Sequence, residues 1–429
     1  MIGSRRTRIL AALLCTSASP SCTDWEGDAN SASTGGTSGS PAASGGTSTG
    51  GRSSTSCAMP EGPTPDQLPA SYPVGLHVVG AAIEDGSGNR VVLHGVNRSG
   101  TEYKCAQRTG IFDGPNDEES VRAIASWNVN AVRVPLNESC WLGVNADDDP
   151  RFMGEAYKRA ILDYVALLHK YALIPILELH WAAPGDLLAE KQWPLPNLDN
   201  TPAFWADVAT TFSADDGVIF EPYNEPFPGS DNASNWSCWR DGCSRAAVYD
   251  RKGVELFAAY DAAGMQALVN AIREAERASD SGVSHLILLG GLAYSNNLSQ
   301  WLSYRPTDPA ENVAAAWHVY NFNACMRLDC SAASDDPGAV AAVVPVVATE
   351  IGEDDCAGQM IEPLMKSMDE IGMGYLAWWW NTTAGSCVPA DSTNHGHGDP
   401  LALIEDYACP VPKGGYGQAF YDHLLELSR

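Results

Sequence analysis

Short apolar segments of strand length alternate with amphipathic segments of helical length through the last 340 or so residues of the chain. Most of the apolar segments are hydrophobic at every position instead of every second one, which is typical of parallel strands covered by helices. The predicted strands are 90–97, 130–136, 174–181, 218–226, 284–292, 313–320, 344–352 and 374–381. The predicted helices are 117–128, 154–172, 201–213, 261–279, 361–372 and 416–428.

This alternation predicts an α/β protein with a single (β/α)8 barrel, the TIM-barrel fold, and it disfavours an open doubly wound sheet. An open sheet that binds a dinucleotide needs a glycine-rich turn after an early strand, whereas the first predicted strand runs into "GVNRSGTEY". Helical periodicity is weakest over 293–343, and 229–251 has the composition of an inserted loop. We therefore expect extended loops at the C-terminal face of the barrel.

The N-terminal part of the chain has a different composition. The segment "RRTRILAALLC" and the small residues after it are typical of an export signal over 1–22, and the paired arginines are compatible with the twin-arginine route. A lipoprotein signal at Cys22 would add a lipid anchor in the membrane. Residues 23–56 are rich in Gly, Ser and Thr, which predicts a disordered linker. The structured domain is then expected to span 57–429.

Charge and cysteine content limit where the protein can act and which partners it can bind. The chain carries 26 Lys and Arg against 53 Asp and Glu, a formal net charge of −27 at pH 7, which argues against nucleic acid as a partner. Beyond the signal region the cysteines are even in number and lack the C-x2-C spacing of zinc sites, so we expect disulfides. The sequence therefore predicts a secreted or cell-surface monomer without a cofactor.

Polar residues follow the apolar segments at seven predicted strand ends, where the active site of such a barrel lies. Glu225 follows a buried strand and would lie half desolvated at the barrel mouth, which suits a general acid. Glu221, deeper in the strand, is expected to be structural. A second carboxylate at another strand end, for which Glu350 is the best candidate, completes the pair used to cleave glycosidic bonds. The candidate residues are Asn97, Arg133, His180, Trp181, Asn224, Glu225, His318, Tyr320, Glu350, Trp378 and Asn381.

The motifs "FEPYNEP" and "VATEIGE" resemble those of glycoside hydrolase family 5, the cellulase-type retaining glycosidases, and the resemblance covers most of 75–429. It implies that Glu225 is the acid/base and Glu350 the nucleophile. It also implies supporting roles for Asn224 at the sugar 2-hydroxyl, Arg133 beside the nucleophile, His180 with Trp181 in "ELHW", His318 with Tyr320 in "WHVY", and Trp378 as the platform under the sugar.

Two residue assignments stay open at this point. The three consecutive tryptophans 378–380 leave the platform residue undecided, although alternation along a strand would turn Trp379 into the core. Glu353, three residues after Glu350, is an alternative second carboxylate.

The substrate class follows partly from the aromatic residues. Flat rings suit β-linked glucose, whose hydroxyls are all equatorial, better than mannose with its axial 2-hydroxyl. We therefore expect an endo-hydrolase of β-1,4-glucan, with mannan, xylan and mixed-linkage glucan as alternatives that the family also covers. The tryptophans near predicted strand ends are Trp141, Trp181, Trp193, Trp236, Trp239 and 378–380.

Two other function classes remain. A non-catalytic polysaccharide-binding barrel would keep the tryptophans but usually lose one carboxylate, and both are present. A metal-dependent hydrolase would need the cluster "NHGHGD", with His395, His397 and Asp391, but histidines in such a loop are more often solvated, so we expect no metal.

The order of the predicted strands also suggests how the cysteines pair. Two short loops would close on themselves, two pairs would join loops after successive strands, and one would tie the start of the domain to its last loop. The predicted pairs are Cys238–Cys243, Cys325–Cys330, Cys105–Cys140, Cys356–Cys387 and Cys57–Cys409.

Overall fold

The computed structural model describes residues 62–68, 72–144, 150–330, 336–382 and 400–427. A 3-10 turn at Pro65–Gln67 precedes the first strand. The strands are β1 (His77–Val79), β2 (Ala82–Glu84), β3 (Arg90–Val91), β4 (His94–Asn97), β5 (Ala131–Asn137), β6 (Ile174–Trp181), β7 (Ile219–Glu221), β8 (Cys243–Arg245), β9 (Val248–Tyr249), β10 (Glu255–Phe257), β11 (Tyr260–Ala262), β12 (Ile287–Gly290), β13 (Val313–Tyr320), β14 (Val346–Gly352) and β15 (Gly374–Ala377).

The helices separate the strands along the chain, and within the described residues none combines the length and apolar composition needed to cross a bilayer. They are α1 (Glu118–Ala125), α2 (Glu138–Leu142), α3 (Glu155–Lys170), α4 (Thr201–Thr211), α5 (Ala233–Asp241), α6 (Met265–Ser279), α7 (Trp301–Tyr304), α8 (Pro337–Ala341), α9 (Ile361–Ile371) and α10 (Tyr416–Leu427).

Eight of the strands form a closed, parallel barrel, which confirms the predicted (β/α)8 fold. Around the barrel the order is β4, β5, β6, β7, β12, β13, β14 and β15, and β15 pairs back to β4. All eight predicted barrel strands are present, but some are shorter than expected. Arg90–Val91 pairs with β2 in a separate antiparallel sheet, so the barrel strand begins only at His94. The fourth strand ends at Glu221, because Pro222 has no N–H for the ladder.

The barrel is filled by one apolar cluster and wrapped by another. Side chains that face the barrel axis, such as Ile176 and Leu288, form a cluster that continues into Leu76, directly before β1, and into Ile83 and Val91 of the small sheet β1–β2–β3. That sheet lies at the amino ends of the strands, and it leaves the carboxyl ends free to carry the polar side chains. The larger cluster packs the outer faces of the strands against the helices.

The helices contribute apolar stripes to the outer cluster. In α6 the buried residues Met265, Leu268, Val269 and Ile272 follow the i, i+3, i+4, i+7 spacing that places them on one face. Each such side chain stabilises the fold by about 1.5–3 kcal/mol relative to leaving it exposed.

Strand β14 contains one extra residue relative to its neighbours. Trp317 of β13 pairs with Ala348, but the next residue, His318, pairs with Glu350, so Thr349 is skipped. The pairing with β15 shifts over the same part of β14. Ala348 and Ile351 belong to the outer cluster, whereas the side chains of Thr349 and Glu350 both contact residues inside the barrel. This β-bulge therefore turns two successive side chains to the same side.

The predicted insertion between the fourth strand and the next long helix is ordered. It contains α5 and two antiparallel hairpins, β8 with β11 and β9 with β10. In the described part of the weakly periodic region 293–343, the short helices α7 and α8 are the only helices, and β13 is the only barrel strand.

Three predicted disulfides are confirmed, namely Cys105–Cys140, Cys238–Cys243 and Cys325–Cys330. Cys356 and Cys409 are also disulfide-bonded. Their predicted partners Cys387 and Cys57 lie outside the described residues, as do the predicted export signal, Cys22 and the linker, so those calls and the domain boundaries stay predictions.

Candidate active site

Polar side chains from seven barrel strands meet at the carboxyl ends of the strands, the face at which such barrels place their active sites. The predicted residues there are Asn97 at the end of β4, Arg133 in β5, His180 in β6, Asn224 and Glu225 after β7, His318 and Tyr320 in β13, Glu350 in β14 and Trp378 directly after β15.

Arg133 lies at the centre of these contacts and is fully buried. Its Nε and Nη2 donate to the two carboxylate oxygens of Glu221 at 2.7 and 3.1 Å. Nη1 donates to Asn97 Oδ1 at 2.9 Å and to Glu350 Oε1 at 2.7 Å, and Nη2 donates to Asn224 Oδ1 at 2.8 Å. Burial disfavours the charge, but three neighbouring carboxylates raise the pKa of Arg133 above its usual value. Arg133 thus orients one carboxylate inside the barrel and another at its mouth.

The Glu350 carboxylate is held from several directions. Besides the Arg133 contact to Oε1, its Oε2 accepts a hydrogen bond from the Tyr320 hydroxyl at 2.5 Å and lies 3.4 Å from His318 Nδ1. Burial, with the charges of Glu350 and Glu225, raises the pKa of Tyr320 well above its usual value. The hydroxyl therefore stays protonated and serves as a hydrogen-bond donor to Glu350. Donors to both oxygens leave Glu350 one orientation.

Glu225 lies closer to solvent and has fewer contacts. Its side chain is 20% exposed, against 4% for that of Glu350, and its Oε1 lies 2.9 Å from His318 Nδ1. His318 is buried, which disfavours its charge, but Glu350, Glu221 and Glu225 outweigh burial and raise the pKa of His318 to about 10. At neutral pH His318 is therefore an imidazolium whose Nδ1–H donates to Glu225.

The other ring nitrogen of His318 connects the mouth of the barrel to its interior. Nε2 lies 3.1 Å from Thr349 Oγ1, and the Thr349 hydroxyl in turn donates to Glu221 Oε1 at 3.0 Å. Glu221 is fully buried, and although burial opposes its charge, Arg133 and His318 lower the pKa of its carboxyl. These buried contacts are those of a carboxylate with a structural role, as we expect for Glu221 from its position deep in the strand.

A second histidine lies across the site from His318. His180 Nδ1 lies 3.0 Å from Glu178 Oε2, and its ring stacks on Trp378 with 5.4 Å between centroids and 15° between planes. Burial disfavours a charged imidazole, but Glu178 raises the pKa of His180 to about 9. Glu178 is itself fully buried and also lies 3.6 Å from Arg133 Nη2, and burial raises the pKa of its carboxyl despite both cations.

One group of residues at the site has the side-chain types of a metal centre. Single donor atoms of Glu225, His318 and Glu350 lie within 4.8 Å of one another. Both ring nitrogens of His318 already have partners, since Nδ1 lies 2.9 Å from Glu225 Oε1 and Nε2 lies 3.1 Å from Thr349 Oγ1. This group is therefore better suited to hydrogen bonding and proton transfer than to coordination. The other candidate cluster, at Asp391, His395 and His397, lies outside the described residues.

Most of the tryptophans expected to face the sugar are core residues instead, which corrects that expectation. Trp141, Trp193, Trp236 and Trp239 are at most 5% exposed. The indole N–H groups of three of them donate within the protein: Trp141 to Asp207, Trp236 to Asp231, and Trp239 to the Gly290 carbonyl at 3.1 Å. Residues near strand ends become core here because the loops that follow the strands fold over them.

Within the run 378–380, the core residue is Trp380 and not Trp379. Trp380 is 1% exposed and packs edge-on against Trp127. Trp378 and Trp379 are half-buried and stack on each other with 5.8 Å between centroids. Only Trp378 also stacks on His180, so it is the member of the run that lies against the site.

Three other candidates lie at or beyond the edge of the site. Trp181 is half-buried, and its ring lies 6.3 Å from that of Tyr103. Asn381 accepts a hydrogen bond from the Tyr407 hydroxyl at 2.6 Å. Glu353 is buried at the start of α9, where its carboxylate accepts from the backbone N–H groups of Gly358, Met360 and Ile361. Its oxygens thus satisfy a helix N-terminus and do not face Glu225.

Sequence reasoning missed residues that support the site from outside the motifs. Gln192 donates to the Glu225 carbonyl at 2.6 Å and accepts from Asn224 Nδ2 at 2.9 Å. It lies in a loop without periodicity, so no signal marked it. Glu178 had a signal, since it precedes His180 by two residues on one strand and therefore shares its side of the sheet.

Comparisons with known proteins point to one family. The family model described as cellulase (glycosyl hydrolase family 5) matches residues 85–384. A mannan endo-1,4-β-mannosidase from Streptomyces lividans is 25% identical over 326 residues, covering 75% of this chain and 70% of that protein.

Solved structures share the fold. A β-glucanase from Saccharophagus degradans, also solved in complex with cellotetraose, has 19% identity and a TM-score of 0.55, covering 84% of this chain and 98% of its own. A β-mannanase from Streptomyces thermolilacinus has 21% identity and a TM-score of 0.53, covering 83% of this chain and 98% of its own. The proteins similar to this chain thus include one named a β-glucanase and others named mannanases.

Proposed function

We propose a function from one premise: the chain belongs to glycosyl hydrolase family 5, the cellulase family. It is therefore an endo-acting glycoside hydrolase that acts on O-glycosyl bonds. We propose further that it cleaves β-1,4-glucan with retention of configuration, with Glu225 as acid/base and Glu350 as nucleophile. One observation carries the proposal: carboxylate oxygens of the two residues lie within 4.8 Å of each other beside His318. Retaining enzymes have carboxyl groups about 5–5.5 Å apart, whereas inverting enzymes need about 6.5–9.5 Å.

In the proposed first step, Glu350 attacks the anomeric carbon while Glu225 gives its proton to the glycosidic oxygen. The leaving sugar departs and a covalent glycosyl-enzyme remains on Glu350. In the second step Glu225 takes a proton from water, and that water displaces Glu350. The greater exposure of Glu225 supports this assignment, because its proton must exchange with solvent between the steps.

The sugar that becomes attached is proposed to bind between Asn224, His180 and Trp378. Asn224 Nδ2 and His180 Nε2 lie 3.3 Å apart, so both groups border the same place in the site. With its raised pKa His180 is charged and its Nε2–H is a donor, and a sugar hydroxyl provides an acceptor for it. We assign the 2-hydroxyl to Asn224, with the Trp378 ring as the apolar platform under the pyranose.

Mannan is the second candidate substrate. The S. lividans relative is named a mannan endo-1,4-β-mannosidase, and the burial of four tryptophans removes part of the argument for glucose. The exposed part of Trp378 still favours a flat, equatorially substituted ring, so we keep glucan first.

Release of reducing ends tests the substrate. The full chain is assayed on carboxymethyl-cellulose, mixed-linkage glucan, unsubstituted β-mannan and xylan. We expect the largest kcat/KM on β-1,4-glucan, and a larger value on mannan would replace that choice. NMR of the first-formed sugar should show the β anomer, and an α anomer would refute retention.

We also propose that the enzyme acts outside the cytoplasm, secreted or attached to the cell surface. Three disulfides among the described residues support an oxidising compartment. Fractionation of producing cells should recover wild-type activity outside the cytoplasm, and Cys22→Ser should move it from membranes to the medium if the lipid anchor exists.

A further inference from the structure

Three aromatic rings from separate segments contact one another next to the segment that carries Glu225. They are Phe227, two residues after Glu225, Tyr294 in the turn after β12, and Phe257 of β10; together they are called the aromatic surface below. The rings of Phe227 and Tyr294 are stacked, with 4.8 Å between centroids and 12° between planes, and those of Phe227 and Phe257 lie 6.0 Å apart. Tyr294 is 42% exposed, and the two phenylalanines are half-buried.

The turn that carries Tyr294 is bonded to the segment that carries Glu225. The Tyr294 N–H donates to the Pro226 carbonyl at 3.1 Å, and Ser295 Oγ donates to the Asn224 carbonyl at 2.8 Å. Both neighbours of Glu225 in the chain are therefore held by this turn. The position of the Tyr294 ring is thereby fixed relative to the proposed acid/base.

The backbone of this turn is unusual. Ala293, Tyr294 and Ser295 have φ angles of 51°, 60° and 57°, in the left-handed region that residues other than glycine seldom occupy. Such conformations cluster where a side chain is presented for function, because packing alone rarely requires three in succession. Here the result is a tyrosine ring that lies partly in solvent on a residue bonded to Pro226, the residue after Glu225.

The third ring is supported by the loop after β6. Lys191 Nζ donates to the Leu256 carbonyl at 2.6 Å and lies 4.7 Å from the centroid of the Phe257 ring. The buried Trp193 contacts Phe257 edge-on, with 5.3 Å between centroids. The insertion that carries β9 and β10 is thus fixed against the site.

We propose that the aromatic surface binds the sugar unit on the leaving-group side of the cleaved bond, and that it binds acceptor sugars in the same place. The inference rests on the proposed function, in which Glu225 protonates the leaving oxygen. The leaving sugar must then lie on the Glu225 side, while Trp378 and His180 hold the sugar that Glu350 attacks. The C–H face of a β-linked pyranose suits an exposed tyrosine ring that is backed by a stacked phenylalanine.

A transfer reaction tests this surface separately from hydrolysis. β-Cellobiosyl fluoride forms the glycosyl-enzyme with a leaving group too small to reach the surface. The 4-hydroxyl of added cellobiose can then attack the anomeric carbon, its proton passes to Glu225, the ester bond to Glu350 breaks, and cellotetraose is formed. Water attacks the same intermediate to give cellobiose. The ratio of cellotetraose to hydrolysis at low acceptor concentration measures acceptor binding.

We expect Tyr294→Ala to lower this ratio about fivefold, and Tyr294→Phe to preserve it because the ring remains. Both products come from one intermediate, so a general loss of activity through misfolding leaves the ratio unchanged. The matched control is Tyr249→Ala. Tyr249 is 57% exposed on β9 of the same insertion and donates to Glu255, so its removal should not change the ratio.

The proposal is overturned if Tyr294→Ala keeps the wild-type ratio, or if Tyr249→Ala lowers it equally. A concentration-dependent dimer of the wild type that Tyr294→Ala abolishes would assign the surface to a second copy of the chain and would also overturn it. If the wild type releases no fluoride at all, the proposed function itself fails, and this outcome is distinct from a changed product ratio.

Discussion

The two carboxylates at the barrel mouth have the same chemistry but very different surroundings. Glu350 receives hydrogen bonds from Arg133 and Tyr320 and is nearly buried. Glu225 has one side-chain contact, to His318, and one fifth of its side chain is exposed. One carboxylate is fixed in position, and the other is reached by water. This difference, more than the motifs, supports the proposal that Glu350 attacks and that Glu225 transfers the proton.

The sharpest test of this comparison between the two carboxylates is Glu350→Gly, for which we expect the largest loss of activity. Without the fixed carboxylate no glycosyl-enzyme forms, and kcat on polysaccharide should fall about 10⁵-fold. Azide can occupy the vacated space, so with β-cellobiosyl substrates carrying a good leaving group it should restore turnover and give the α-glycosyl azide. Near-normal activity of this variant would contradict the assignment and would make Glu353 the next residue to test.

Glu225→Ala should lower activity less than Glu350→Gly does, and the size of the loss should depend on the leaving group of the substrate. We expect about a 10³-fold loss on polysaccharide, which needs protonation of the leaving oxygen. With a dinitrophenyl glycoside the first step needs no acid, so glycosyl-enzyme should accumulate and be detected by mass spectrometry. Azide, which needs no base, should then give the β-glycosyl azide. If Glu225→Ala and Glu350→Gly gave the same azide anomer, the two roles would not be distinct.

Tyr320→Phe removes one of the two donors that hold Glu350 but leaves Glu225 its contact with His318. We expect kcat on polysaccharide to fall about 30-fold, as for loss of one hydrogen bond to a charged group. Tyr375→Phe is the matched control, because Tyr375 is a buried barrel tyrosine whose hydroxyl contacts Asp369 away from the site. Equal losses in both variants would mean that packing, and not the bond to Glu350, accounts for the effect.

The smallest expected effect depends on pH. Glu178 raises the pKa of His180 to about 9, so the wild type keeps the imidazolium, and the donor it offers to the sugar, up to that pH. In Glu178→Gln the pKa of His180 should fall toward its usual value of about 6.5. KM should then rise severalfold between pH 7 and 9, while the two enzymes stay alike below pH 6.

A matched control exists for this variant. Glu276 is buried and contacts Arg273 and His285, much as Glu178 contacts Arg133 and His180, but it lies outside the site. Glu276→Gln should leave the pH profile of KM unchanged. A parallel shift in both variants would show that the effect comes from general destabilisation.

The barrel and the two glutamates were predictable because each rests on a local signal. Parallel strands buried on both faces read as continuous apolar runs, and Glu225 and Glu350 follow such runs by few residues. The closed barrel confirms the predicted fold, and the match over residues 85–384 confirms the family. The catalytic roles of the two glutamates stay predictions.

Exposure of the tryptophans was not predictable, because it depends on how distant segments fold over a strand end. Trp239 is buried by contacts that include the carbonyl of Gly290, 51 residues further along the chain. Gln192 was missed for the same reason, since its partners Asn224 and Glu225 belong to another loop. Local patterns place side chains at a rim, but only tertiary contacts decide which of them stay accessible.

The extra residue in β14 decides which face of the barrel wall the proposed nucleophile occupies. In a regular ladder Thr349 would pair with His318 and face inward, and Glu350, the next residue, would face outward toward the helices. With the bulge, Glu350 takes the position opposite His318, while the Thr349 hydroxyl still reaches Glu221. Two successive residues thus supply the hydroxyl that joins His318 to Glu221 and the carboxylate that Arg133 and Tyr320 hold. A strand of ordinary pairing supplies only one of these two groups to the site.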